Sequence, residues 1–277
     1  IVTDGLRLLG EEYLSVLRKG FSSRWIDIYE NKGKRKGAYS WGSYGTHPYV
    51  LLNYNGTLRD VFTIAHEMGH ALHSWFSHAT QPWVYGDYTI FLAEVASTTN
   101  EALLSEHLLS TSDDRERTLS LLNHDLEQTR TTLYRQTMFA EFERITHSAA
   151  ERGEALTPDM LCDAWRQLNE AYYGPLMTID GPLAMEWARI PHFYSAFYVY
   201  KYVTGFSAAV SLSRMLLEGG RGERERYMRF LSRGGSAWSL DILREAGVDM
   251  TTPKPIEDAV AAFSRKLALF RRLLSGD

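Results

Sequence analysis

Residues 66–70 read His66-Glu67-Met68-Gly69-His70, inside the run VFTIAHEMGHALHSWF at positions 61–76. On a helix, positions four apart share a face, so His66 and His70 can both reach one metal ion. Glu67 is rotated off that line by one residue, which suits a general base better than a third ligand. The flanks make such a helix apolar on nearly all sides, and a helix apolar all round is buried. Two imidazoles and a carboxylate buried without a partner would be costly, and a metal removes that cost. A solvated His pair on a surface helix is the bland alternative, and the apolar flanks count against it.

A catalytic zinc takes three protein ligands and keeps one position open. The third candidate lies in FLAEVASTTNEALLSEHLL, which starts at Phe91. Glu94 stands alone there in an apolar stretch, and carboxylates are rarely buried without a partner. Ser97 and Glu101 follow three and seven residues later on the same helical face, placed to support the ligands from behind. The pattern therefore predicts one zinc per chain, held by His66, His70 and Glu94, with Glu67 as general base. His73 could pack behind the site or act as a ligand, but fits less well than Glu94.

Two His on one helix and a Glu on the next is the gluzincin arrangement of the zincins. HEMGHALHSWF followed by FLAEVASTTNE resembles the oligoendopeptidase F family, relatives of thimet oligopeptidase. Further similar blocks are GAYSWGSYGTHPYVLLNYNGTLRDVFTIAHEMGH, IPHFYSAFYVYKYVTGFSAA and LSRGGSAWSLDILREAGVDMTTPKPIEDAV. The resemblance covers most of the chain. It implies a mainly helical zinc endopeptidase that cuts short oligopeptides inside an enclosed channel. It further implies that a His and Tyr hydroxyls from the block IPHFYSAFYVYKYVTGFSAA lie over the scissile carbonyl. Registering that block on Phe206-Ser207 puts Tyr200 at one catalytic position and His192 at the imidazole. The His-to-Tyr spacing is shorter than the family's and another family Tyr falls on Phe197, so Tyr194, Tyr198 and Tyr200 stay open as donors. Tyr194, Tyr198 and Tyr202 also recur every four residues, as a packed helical face would. Members of the family are longer, with a helical region ahead of the motif. The chain starts at Ile1, so it is expected to be a C-terminal catalytic fragment forming one domain over residues 1–277.

Composition excludes other classes. The net charge is -4, and the basic block Lys32-Gly33-Lys34-Arg35-Lys36 is short and reads as a solvated turn, so no nucleic-acid partner is expected. Cys162 is the single cysteine, which forbids an intrachain disulfide and favours the cytoplasm. No apolar run approaches the length needed to span a bilayer, so no membrane partner is expected.

Helical periodicity runs from Leu6 to Lys19 and then roughly over 58–78, 88–109, 113–150, 157–172, 194–217, 222–232, 238–246 and 255–275. Between them, Trp25–Tyr29 and Tyr49–Tyr54 are β-branched or aromatic runs around turns, predicting a small antiparallel sheet before the metal helix. The fold class is mainly α. Gly37–Trp41 is the candidate edge strand for pairing with an extended substrate backbone. Two other functions compete with the endopeptidase. A carboxypeptidase of the same helical clan would need a cationic clamp, for which Arg189 is available. A catalytically retired peptide-binding protein would not be expected to keep Glu67.

Overall fold

The computed structural model describes residues 1–276. Its elements, in chain order, start with α1 (Val2–Gly5) and α2 (Glu11–Ser22). The strands β1 (Ile26–Asp27), β2 (Tyr39–Trp41) and β3 (Tyr49–Leu51) follow. Next come α3 (Leu58–Thr80), α4 (Trp83–Gly86), α5 (Ile90–Ser110), α6 (Arg115–Thr129), α7 (Arg135–Glu151), α8 (Pro158–Tyr173) and α9 (Gly181–Ala184). The chain then runs through α10 (Tyr200–Glu218), α11 (Arg221–Leu231), α12 (Ser239–Ala246) and α13 (Lys254–Ser275). None of these helices is long and apolar enough to cross a membrane.

The described residues form two compact units, one built from Ile1–Leu126 with the chain from Thr204 onward, the other from Glu127–Val203. In the first, α3 and α5 are the central pair. Leu6, Leu9, Tyr13 and Leu17 pack with Met68, Leu72, Leu92, Leu103 and Leu104 in one apolar core. The α3 start is fixed by a capping box: Asp60 N donates to Thr57 Oγ1 at 3.3 Å, and Thr57 N donates to Asp60 Oδ2 at 2.9 Å. Buried Asn100 ties the pair together, donating to the Ala65 carbonyl at 3.0 Å while accepting from the Tyr13 hydroxyl at 2.9 Å. In the second unit, Met138, Phe139, Phe142, Trp165, Leu168, Ile190 and Val199 form a separate core.

Two details depart from the sequence reading. The sheet has the order β1-β3-β2, with β3 antiparallel to β2 but parallel to β1, so it is mixed rather than wholly antiparallel. Strand runs in a sequence do not encode direction; here β3 inserts between the two earlier strands. The helix expected over 194–217 begins only at Tyr200. Before it, Pro191–Tyr194 is a 3-10 turn and Phe197 has a left-handed φ of 55°. A left-handed non-glycine residue interrupts a right-handed helix. The Phe197 amide donates instead to buried Glu143 Oε1 at 2.6 Å, which secures that turn.

Candidate metal centre

Helix α3 presents His66 and His70 on one face, with ring centroids 4.8 Å apart. Helix α5 brings Glu94 to them: Oε2 lies 3.4 Å from His66 Nε2 and 3.6 Å from His70 Nε2. Three donors at about 2.0–2.2 Å from a tetrahedral zinc sit roughly 3.4 Å from one another. These two edges therefore match a metal-sized gap, and all three donor atoms fall within 4.8 Å of one another. The His-His-Glu set can hold a metal ion.

The surroundings hold these donors in place. Glu101 Oε1 lies 2.5 Å from His66 Nδ1, so that ring donates there and turns its Nε2 lone pair toward the cluster. Ser97 Oγ donates to Glu94 Oε2 at 3.1 Å. Tyr88, missed in the sequence, donates its hydroxyl to the His70 carbonyl at 3.3 Å. Its ring stacks on buried His73 with centroids 3.6 Å apart and planes 2° from parallel. His73 is thus packing behind the site; it is not among the three clustered donors. The signal for Tyr88 was faint, because the helical pattern over 88–109 places it at a helix start with no partner marked in the sequence, whereas α5 begins at Ile90.

Glu67 is 7% exposed, and its Oε2 is buried with no hydrogen-bond partner. Such an orphaned oxygen is costly unless something else uses it. Burial raises its pKa to about 7, with the His66 charge pulling the other way and Glu94 and Glu101 adding to the rise. For His66, burial opposes the charge, yet Glu101, Glu94 and Glu67 outweigh it and raise the pKa to about 9. Burial and the His66 charge hold His70 well below its ordinary value. One positive charge is thus favoured among these acids, and a bound cation would supply it in place of a proton.

Strand β2 lies at an edge of the sheet. Val50 N donates to the Trp25 carbonyl at 2.8 Å, so Val50 spends its polar groups on the β1 side. Its pairing with Ser40 is then a non-hydrogen-bonded one. Ser40 consequently turns its own N–H and C=O to the outer edge, where no further strand pairs among the described residues.

A profile of Peptidase family M3 matches residues 3–262. The chain belongs to peptidase family M3. The M3 chain is 52% identical to oligopeptidase PepF of Bacillus subtilis over 270 residues, covering 98% of this chain and 40% of that protein. Against the chromosomal oligoendopeptidase F of Lactococcus lactis subsp. cremoris it is 47% identical, covering 97% and 45% respectively. It superposes on the crystal structure of oligoendopeptidase-F from Enterococcus faecium with a TM-score of 0.77 at 36% identity, over 100% of this chain and 43% of that one. The chain spans less than half the length of these relatives.

The remaining predicted site residues of the M3 chain lie in its second unit. There the structure joins His192 to Tyr198, with rings 5.8 Å apart, and to Tyr202, whose hydroxyl lies 3.3 Å from His192 Nε2. Tyr202 was read only as part of a packed face, so its hydrogen bond to His192 is new. Tyr194 is 91% exposed, which removes it from any packed face. Tyr200 opens α10 and is 39% exposed. Arg189 is bound to Glu186, which Arg135 also reaches at 2.7 Å.

Proposed function

We propose that this chain carries the chemistry of a zinc-dependent endopeptidase that hydrolyses internal bonds of short oligopeptides. The observation that carries the proposal is the His66–His70–Glu94 triangle standing beside the orphaned Glu67 carboxylate. Zinc in that triangle would act as a Lewis acid on the scissile carbonyl and acidify a water.

Glu67 takes the proton from the attacking water and returns it to the leaving amine. A carboxyl raised to about 7 suits both directions of that transfer near neutral pH. Glu101 fixes the ring of His66, and Ser97 fixes Glu94, so the donor set is organised before substrate arrives. His192 with Tyr198 or Tyr200 supplies hydrogen-bond donors to the oxyanion of the tetrahedral intermediate. The outward Ser40 amide and carbonyl pair with the substrate backbone, giving affinity with little sequence selectivity. Residues 1–277 act together as a single catalytic region, in the cytoplasm, with one zinc per chain.

Release of single C-terminal residues is the competing reaction, and the engagement of Arg189 by Glu186 leaves it poorly placed as a clamp. The deciding experiment removes metal with a chelator and restores zinc, following a peptide pool by mass spectrometry. Internal cuts that vanish on chelation and return with zinc support the proposal. Sequential loss of terminal residues, or cleavage indifferent to chelator, contradicts it.

A further inference from the structure

A cavity of about 380 Å³ opens at the N-terminal end of β2. Gly37 and Ala38 form one wall, Leu52–Asn55 another, and Thr57, Arg59, Asp60, Thr63 and Ile64 at the start of α3 a third. Thr63 is three residues ahead of His66, so the cavity lies about one helical turn from the metal cluster along the same face. Ser40 is three positions on from Gly37, roughly 10 Å of extended chain. A peptide paired with Ser40 and continuing past Ala38 would enter this cavity.

Cations outnumber carboxylates around the cavity once the neighbouring turn is counted: Arg59, Arg35 and Lys36 against Asp60 and Glu30. The lining holds one cation, Arg59, and one carboxylate, Asp60. Asp60 Oδ2 is already committed, accepting from Asn55 N at 3.1 Å, Thr57 N at 2.9 Å and Thr57 Oγ1 at 2.8 Å. Arg59 is exposed and makes no side-chain ion pair among the described residues. The basic turn adds to it. Asn53, a lining residue, donates to the carbonyls of Arg35 at 3.0 Å and Gly37 at 2.8 Å, tying that turn to the cavity wall. Lys34 is spent on Asp27, while Arg35 and Lys36 stay exposed. Against these stands Glu30, which reaches Asn55 at 3.5 Å.

We propose that this cavity is a carboxylate-recognising subsite, in which Arg59 binds a carboxylate of the peptide and Arg35 and Lys36 supply the attracting field. The subsite rests on the reading of β2 as the peptide-pairing edge. A guanidinium offers paired donors that match a carboxylate in a fixed plane. The carboxylate comes either from the peptide's own C-terminus, which would set an end-to-cut distance, or from an acidic side chain at that position.

Equilibrium binding in a Glu67→Gln background separates recognition from turnover. Three N-terminally fluorescent peptides of one length serve as probes: a neutral sequence with free C-terminus, the same sequence amidated, and the amidated sequence with a Glu near its end. Arg59→Gln is expected to weaken the carboxylate-bearing peptide about tenfold or more and the neutral amide less than about twofold. Loss confined to the free-acid peptide assigns the C-terminus; loss confined to the Glu peptide assigns a side chain. Equal binding of all three peptides, or an equal shift of all three in Arg59→Gln, overturns the subsite alone. No binding of any peptide overturns the pairing edge and the subsite together.

Discussion

The α3 backbone at Gly69 and the α5 backbone at Ser97 are in direct contact: a Cβ built on Gly69 would lie 2.6 Å from Ser97 Cα and 3.1 Å from the Ala96 carbonyl oxygen. Those neighbours are main chain, so no side-chain rotation relieves the overlap. This contact lets Glu94 reach His66 and His70 across two helices. Gly69→Ala is therefore expected to push the helices apart, destabilising the fold by about 1–3 kcal/mol and weakening zinc binding. Urea denaturation and zinc titration of the variant check both. Wild-type zinc affinity in a destabilised Gly69→Ala protein would show that the helix spacing does not set the site.

Whether a tyrosine hydroxyl serves the oxyanion, and which one, is tested by pairing Tyr200→Phe with Tyr198→Phe. Each change keeps the ring and removes one donor. Loss of a donor used only in the transition state lowers kcat by about 10²–10³ with little change in KM. The sequence register favours Tyr200, whereas the structure stacks Tyr198 on His192. Wild-type kcat in Tyr200→Phe with a large loss in Tyr198→Phe would move the role to Tyr198. Normal kcat in both would remove tyrosine at these positions from the mechanism.

The clustering of His66, His70 and Glu94 was legible because its signals are local: a helical period places His66 beside His70, and a lone Glu94 in an apolar run needs a reason to be there. Glu101 was readable for the same reason, lying two turns from Glu94 on one face. What the sequence concealed depends on contacts between distant segments. Nothing near Tyr88 signals that it would lie flat on His73. The break at Phe197 arises because Glu143, 54 residues away, captures its amide. The parallel pairing of β1 with β3 is likewise set by where β3 inserts, which the strand pattern does not encode.

The α10–α13 contact should show as a pH-dependent stability. Asp258 is buried and accepts two bonds from Arg214, at 2.9 and 3.0 Å, and another from Lys254. Burial alone would raise its pKa, but these cationic donors outweigh it and hold the carboxyl below its ordinary value of 3.8. The folded state thus releases this proton more readily than the unfolded one. Its stabilisation is fully present above the unfolded value and is lost as pH falls through the folded one. Asp258→Asn should be less stable than wild type by about 1–3 kcal/mol at pH 7, with the gap closing as pH drops below 3.8. A gap that stays constant through acid would assign the effect to packing.

The division of labour between Glu67 and the three clustered donors is tested most directly by measuring zinc content and peptide turnover together in Glu67→Gln. The amide keeps the size of the side chain and cannot accept a proton. The expected result is about one zinc per chain, as in wild type, with turnover reduced by about 10²–10⁴. Near-normal peptide cleavage by the zinc-loaded variant would contradict Glu67 as the general base, and loss of zinc would place Glu67 among the ligands instead.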